Sequence, residues 1–169
     1  MSQHQPSAAS RIATGAAVGL IAGLIASFAM DRFQALIRSS KSHGESATEK
    51  AADKVSMVVT GSPIADDGKA RAGQIVHYAL GAAFGVGYGV AAEFAPQVTV
   101  GLGTAFAIGT WALLDEAAVP AAGLGDPPSK SPLSTQAFGL VSHLVFGVAA
   151  ELTRLAGMAQ LSRLKVISR

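Results

Sequence analysis

Four stretches of the chain carry no charged side chain: residues 12–30, 72–92, 94–114 and 131–150, which are 19, 21, 21 and 20 residues long. At ~1.5 Å of helical rise per residue, each can reach across the ~30 Å hydrocarbon core of a bilayer. The pattern predicts an all-α integral membrane protein, a four-helix bundle with spans at about 12–30, 72–94, 97–114 and 133–151. Between the first two spans lies a polar segment, residues 31–71, that holds 13 of the 24 charged residues. Within it Ser46-Ala47-Thr48-Glu49 has the spacing of a capping box, and Ala47, Ala51, Val55, Val58 and Val59 recur at roughly helical intervals. A short amphipathic helix is therefore expected over about 46–60, ending near Gly61-Ser62-Pro63, lying on the membrane surface or over the mouth of the bundle. Residues 1–11 read as a disordered tail, 12–154 as one membrane domain and 155–169 as a basic tail.

The connections follow from the helix breakers. Only Glu93-Phe94-Ala95-Pro96-Gln97 separates spans two and three, so a tight antiparallel hairpin turning at 95–96 is expected, with Pro96 unable to continue a helix. Spans three and four are joined by Asp115-Glu116 and then Pro120, Gly123, Gly125, Pro127, Pro128 and Pro132, a non-helical linker.

Composition sharpens this picture. Half of the 169 residues are hydrophobic, only 14% are charged, and mean hydropathy is +0.40, whereas soluble domains carry about 25% charged residues. The absence of cysteine excludes disulfides, thiolate nucleophiles and Cys-based metal sites. A pI near 9.2 arises from a net charge of only +2, with the basic residues flanking apolar stretches. That placement fits membrane anchoring, and no nucleic-acid partner is expected. Aromatic residues make up 6% of the chain, against 19 glycines, so helix packing must rest on small side chains.

Those glycines are periodic. Gly15, Gly19, Gly23 and Ser27 recur every four residues in span one, Gly73, His77, Gly81, Gly85 and Gly89 in span two, and Gly139, His143 and Gly147 in span four. Small residues at this spacing let membrane helices approach closely, within one chain, between copies in a glycine-zipper homo-oligomer, or against a membrane-protein partner. Gly-Val-Ala-Ala-Glu occurs at 89–93 and again at 147–151, which points to an old duplication. The run Gly85-Val86-Gly87-Tyr88-Gly89 is not a dinucleotide fingerprint, since Val90 stands where a third glycine is required and no strand precedes it.

The run from His77-Tyr78 through Gly87-Tyr88-Gly89-Val90-Ala91-Ala92-Glu93, then Pro96, Val119-Pro120, Gly123-Leu124, Pro127-Pro128, His143-Leu144-Val145 and Glu151, resembles the YagU-type bacterial inner-membrane proteins. The likeness covers about residues 46–154, and span one more weakly. It implies a small multi-pass protein of the bacterial inner membrane; that family has no assigned activity, so the resemblance supplies no catalytic residues.

Ionisable groups at membrane depth are functional candidates by default. His77 lies about five residues into span two, and folding the expected hairpin brings it level with Leu114 and Asp115. His143 lies near mid-membrane in span four. Asp31, Asp115 and Glu116 fall on the side of His77, where they would form a cation or proton access site or simply be solvated. Glu93 and Glu151 end their spans and read as interfacial caps, and Trp111 as an interface anchor.

No serine is placed beside an evident base, so an enzyme is disfavoured. The leading expectation is a structural or accessory membrane component with the lipid bilayer as its surroundings. No cofactor is expected on that reading. The rival is a haem-, metal- or proton-handling protein using His77 and His143. The raw count of basic residues puts the 31–71 loop in the cytoplasm, but their density near the ends, together with the resemblance, favours cytoplasmic termini, and that orientation is the one expected.

Overall fold

The computed structural model describes residues 7–37 and 44–167. Its regular elements are helical: α1 (Ala8–Ile37), α2 (Ala47–Thr60), α3 (Asp66–Phe94), a 3₁₀ turn (Pro96–Thr99), α4 (Thr104–Leu113), a π turn (Leu114–Ala118), α5 (Val119–Ala121) and α6 (Leu133–Ile167). Three of them, α1, α3 and α6, are long and apolar enough to cross a membrane.

Two of the expected tails are helix instead. The first helix starts at Ala8, with the Ser7 hydroxyl accepting from the Ser10 amide at 3.2 Å, so residues 8–11 extend the first span; residues 1–6 lie outside those described. At the other end α6 continues to Ile167, so most of the expected basic tail is a helical extension. Nothing between Glu151 and Ile167 breaks a helix: the segment has no proline and a single glycine, Gly157.

The expected third span, 97–114, is not one helix. After Pro96 the chain forms a 3₁₀ turn and then three left-handed residues, Gly101 (φ 66°), Leu102 (φ 56°) and Gly103 (φ 82°). Leu102 is the one non-glycine residue at positive φ among those described. Helix therefore begins only at Thr104 and runs through the π turn and α5 to Ala121, about 25 Å at helical rise. Gly103 lies against the neighbouring helix: a Cβ there would come within 2.4 Å of the Gly147 carbonyl oxygen.

The short amphipathic helix forms as the pattern predicts. Ser46 caps α2, its hydroxyl accepting from the Glu49 amide at 3.2 Å while Glu49 accepts from the Ser46 amide at 2.6 Å. Gly61 (φ 75°) ends it. Its inner side seats on α3, where a Cβ at Gly73 would lie 2.6 Å from Glu49 Cγ.

The long helices meet through small residues. Along the α1–α3 contact a Cβ added to Gly15, Gly19 or Gly23 would fall 2.6, 2.2 or 2.1 Å from the carbonyl oxygens of Gly89, Gly85 and Gly81 respectively. The pairing is antiparallel. Against α1, α6 also runs antiparallel, with Gly157 on Val18 and the Phe33 and Phe138 rings stacked at 6.3 Å. The α4 helix lies on α6, where Gly147 meets Gly103 and Ala107. At the centre Tyr88, Phe146, Met30, Ala26 and Ala150 form a buried cluster, and Phe106 packs on Tyr88 at 4.6 Å between centroids. Large apolar side chains such as Ile21, Phe28 and Ile75 point outward and are more than half exposed. Small residues inside and bulky apolar residues outside invert the usual arrangement of a water-soluble core.

Candidate functional site

Polar groups inside the helices fall into two sets at opposite ends. In the first, Asp31 at the inner face of α1 meets α3: its carboxylate lies 3.2 Å from His77 Nε2 and accepts from the Gln74 amide. The same Nε2 lies 3.4 Å from the Ser27 carbonyl oxygen. Both of these partners are acceptors, so the proton of His77 sits on Nε2. On α6, His143 Nδ1 donates to the Gly139 carbonyl at 3.0 Å and lies 3.6 Å from Asp115 Oδ2. Here the proton sits on Nδ1, and Nε2 has no hydrogen-bond partner among the described residues. His143 is only 7% exposed.

Asp115 reaches that position because the π turn changes the helical phase after α4, and because Gly139 has no side chain. A Cβ at Gly139 would lie 2.7 Å from Asp115 Oδ2 and 3.3 Å from Trp111 Nε1. π turns of this kind concentrate at functional positions.

Both histidines line one half-open cavity of about 400 Å³. Its apolar lining includes Met30, Leu80, Phe84 and Phe146; Asp115, Glu116 and Asp126 supply carboxylates, and Trp111 borders it. Ser46, Ala47 and Thr48 from the start of α2, Ser131 from the proline-rich connection and Thr135 and Gln136 from the first turn of α6 add to the lining. Lys54 ties these two covers together by donating to the Ala122 carbonyl. Among the described residues no lysine or arginine lines the cavity. Ser27 Oγ and Trp111 Nε1, on opposite sides, are buried without a hydrogen-bond partner. No three His, Asp or Glu side chains converge as a metal-ligand set among the described residues.

The second set lies at the other end. The Tyr88 hydroxyl donates to Glu151 Oε2 at 2.6 Å, and Arg154 holds the same carboxylate through Nε and Nη2, each at 2.7 Å. Tyr88 is fully buried and Glu151 only 3% exposed. Glu151 is thus not the solvated interfacial cap that its position at the end of a span suggests. Glu93 is closer to that expectation: it pairs with Arg11 at 3.5 Å, and Arg11 also stacks over Phe94 at 4.4 Å.

Of the candidates read from the sequence, His77, His143, Asp115 and Glu116 share the cavity, and Asp31 joins it through His77. His77 is not paired with Asp115 as the hairpin geometry predicts. The delayed start of α4 and the phase change of the π turn direct Asp115 to α6, and His77 takes its carboxylate from α1. Tyr88, Gln74 and Ser27 escaped notice; Tyr88 alone carried a signal, as a phenol in a charge-free span needs a polar partner.

A family model described as a protein of unknown function, DUF1440, matches residues 62–152, more than half of the chain. The chain belongs to the DUF1440 family. The segment matched to DUF1440 includes His77, Glu93, Asp115, Glu116, His143 and Glu151, whereas Asp31 and Arg154, the partners of His77 and Glu151, fall outside it. Comparison with curated proteins and with solved structures gives no match.

Proposed function

We propose that this DUF1440 protein is a multi-pass protein of the bacterial inner membrane, a non-enzymatic accessory component whose four-crossing, glycine-packed bundle accepts cations in the cavity at one end. Three long apolar helices and the shorter passage from Thr104 to Ala121 supply the crossings. The likeness to YagU-type proteins supports the inner membrane as location. Bulky apolar residues facing outward make the bilayer the natural surroundings.

The observation that carries the cation reading is the lining itself. Asp115, Glu116 and Asp126 and the rings of His77 and His143 line a largely apolar space that no described lysine or arginine enters. A carboxylate partly withdrawn from water, as that of Asp115 is, attracts positive charge more strongly than one in bulk water. A metal ion or haem finds less support, because no third side-chain ligand joins the histidines.

The test uses full-length protein in detergent micelles. Trp111 is the single tryptophan of the chain and borders the cavity, so its fluorescence reports on what enters. Methylammonium should change that emission saturably, sulfate should not, and Asp115→Asn should abolish the methylammonium response. A response unaffected by the substitution, or none with any cation, overturns the reading.

A further inference from the structure

The dimensions and chemistry of the cavity go further than a preference for positive charge. We infer that it takes a small amphipathic organic ammonium ion, the charged head on Asp115 and the apolar body against Met30, Leu80, Phe84 and Phe146. This rests on the cation-accepting reading and names the ligand class for the same site.

The head group is set by the acceptors. His143 is nine-tenths buried, its Nδ1 proton is given to the Gly139 carbonyl, and its Nε2 lone pair is left without a partner. That nitrogen is not sealed away, unlike Ser27 Oγ and Trp111 Nε1. Asp115 Oδ2 stands 3.6 Å from Nδ1, beyond hydrogen-bond length, so the carboxylate keeps its acceptor capacity. A carboxylate with free lone pairs suits the directed N–H donors of an alkylammonium, and Nε2 of His143 is a further acceptor on a residue lining the same cavity. A bare divalent ion needs a larger set of oxygen or nitrogen ligands than converges here.

The body is set by the remaining wall. A single inorganic ion leaves most of about 400 Å³ unfilled, a volume within the roughly 300–1,000 Å³ of pockets that take organic ligands. The apolar part of the lining, with Met30 and Phe146, adjoins the buried cluster around Tyr88. An apolar substituent on the ammonium removes that surface from water, while Phe84 and Phe146 offer ring faces to it.

The experiment compares phenethylammonium, methylammonium and the neutral 2-phenylethanol on full-length protein in micelles, by Trp111 fluorescence and by calorimetry. Phenethylammonium should bind at least about tenfold more tightly than either of the other two, since both a charge-assisted hydrogen bond and a buried ring exceed the 1.4 kcal/mol that a tenfold change represents. Asp115→Asn should remove phenethylammonium binding. Phe84→Ala should erase its advantage over methylammonium and leave methylammonium binding in place, which keeps the proposal testable if the Asp115 variant fails to fold. Equal, Asp115-dependent binding of the two ammonium ions overturns the amphipathic ligand and leaves the cation reading standing. Phenethylammonium binding that survives Asp115→Asn reflects partition into micelles and overturns the inference. Silence with every cation overturns both.

Discussion

His77 and His143 engage their partners through opposite ring nitrogens, Nε2 in the first and Nδ1 in the second. His77 meets a carboxylate and a backbone carbonyl, His143 a backbone carbonyl with the carboxylate of Asp115 further off at 3.6 Å, so the neutral form of each ring has one preferred tautomer and, among the described residues, one nitrogen without a partner. Such acceptors orient an imidazole in the way that outer partners orient histidines at ligand sites.

Nitrogen-15 NMR of the neutral rings should accordingly show His77 protonated at Nε2 and His143 at Nδ1. In Asp115→Asn the His143 tautomer should persist, because the 3.0 Å bond to Gly139 is shorter than the 3.6 Å contact to Asp115. Identical tautomers in the wild-type protein would remove the geometric basis of the site.

The α1–α3 seam makes a graded prediction. A Cβ at Gly85 would meet the Gly19 carbonyl oxygen at 2.3 Å and Gly23 Cα at 2.6 Å, whereas at Gly87 it meets nothing within 4 Å. Gly85→Ala should destabilise the protein by about 1–3 kcal/mol through overpacking of backbone on backbone, and Gly85→Leu by more. Gly87→Ala should be neutral or raise stability, by up to ~1 kcal/mol of helix propensity. Melting in detergent separates the pair; equal effects at the two positions would mean that the seam does not hold the helices together.

Glu151 provides a second ordering. Removing the guanidinium in Arg154→Ala leaves a buried carboxylate with one phenol for company, a loss of about 3–5 kcal/mol. In Tyr88→Phe the carboxylate keeps its bidentate arginine, and the loss should be nearer ~1 kcal/mol. Chemical denaturation in micelles gives the ranking, and a Tyr88→Phe effect equal to that of Arg154→Ala would contradict the assigned roles.

Topology follows from helix direction. The start of α1 lies beside the end of α3 through Arg11 and Glu93, and α6 runs antiparallel to α1 with Gly157 on Val18. Reporter fusions at the two ends of the chain should therefore report one compartment. Opposite compartments would mean that the Thr104–Ala121 passage does not cross.

What the sequence made legible was what local periodicity controls. Charge-free runs located the long helices, Ser46 and Glu49 announced their capping box, and the repeated Gly-Val-Ala-Ala-Glu marked two places with related packing. Gly89 closes on Gly15 and Glu93 pairs with Arg11; Gly147 closes on Gly103 and Glu151 pairs with Arg154. The partners of His77 and Asp115 were not legible. They depend on three left-handed residues and one π turn, which shift the register of α4 by less than the length of the hydrophobic run that conceals them. An uncharged window reads the same whether it is one helix or a turn followed by a shorter helix.

The glycine seam also has a chemical side. Where a side chain would stand, each glycine carries a second Cα hydrogen, and along α1 and α3 these hydrogens point at carbonyl oxygens across the gap in reciprocal pairs, Gly19 with Gly85 and Gly15 with Gly89. Such Cα–H···O=C contacts contribute about 0.5–1 kcal/mol each. Because every donor and acceptor is backbone, a slip of α1 along α3 by one residue breaks all of them at once, and no rotamer change can restore them. The two helices are locked in a single axial register, and with them the distance from Asp31 to His77.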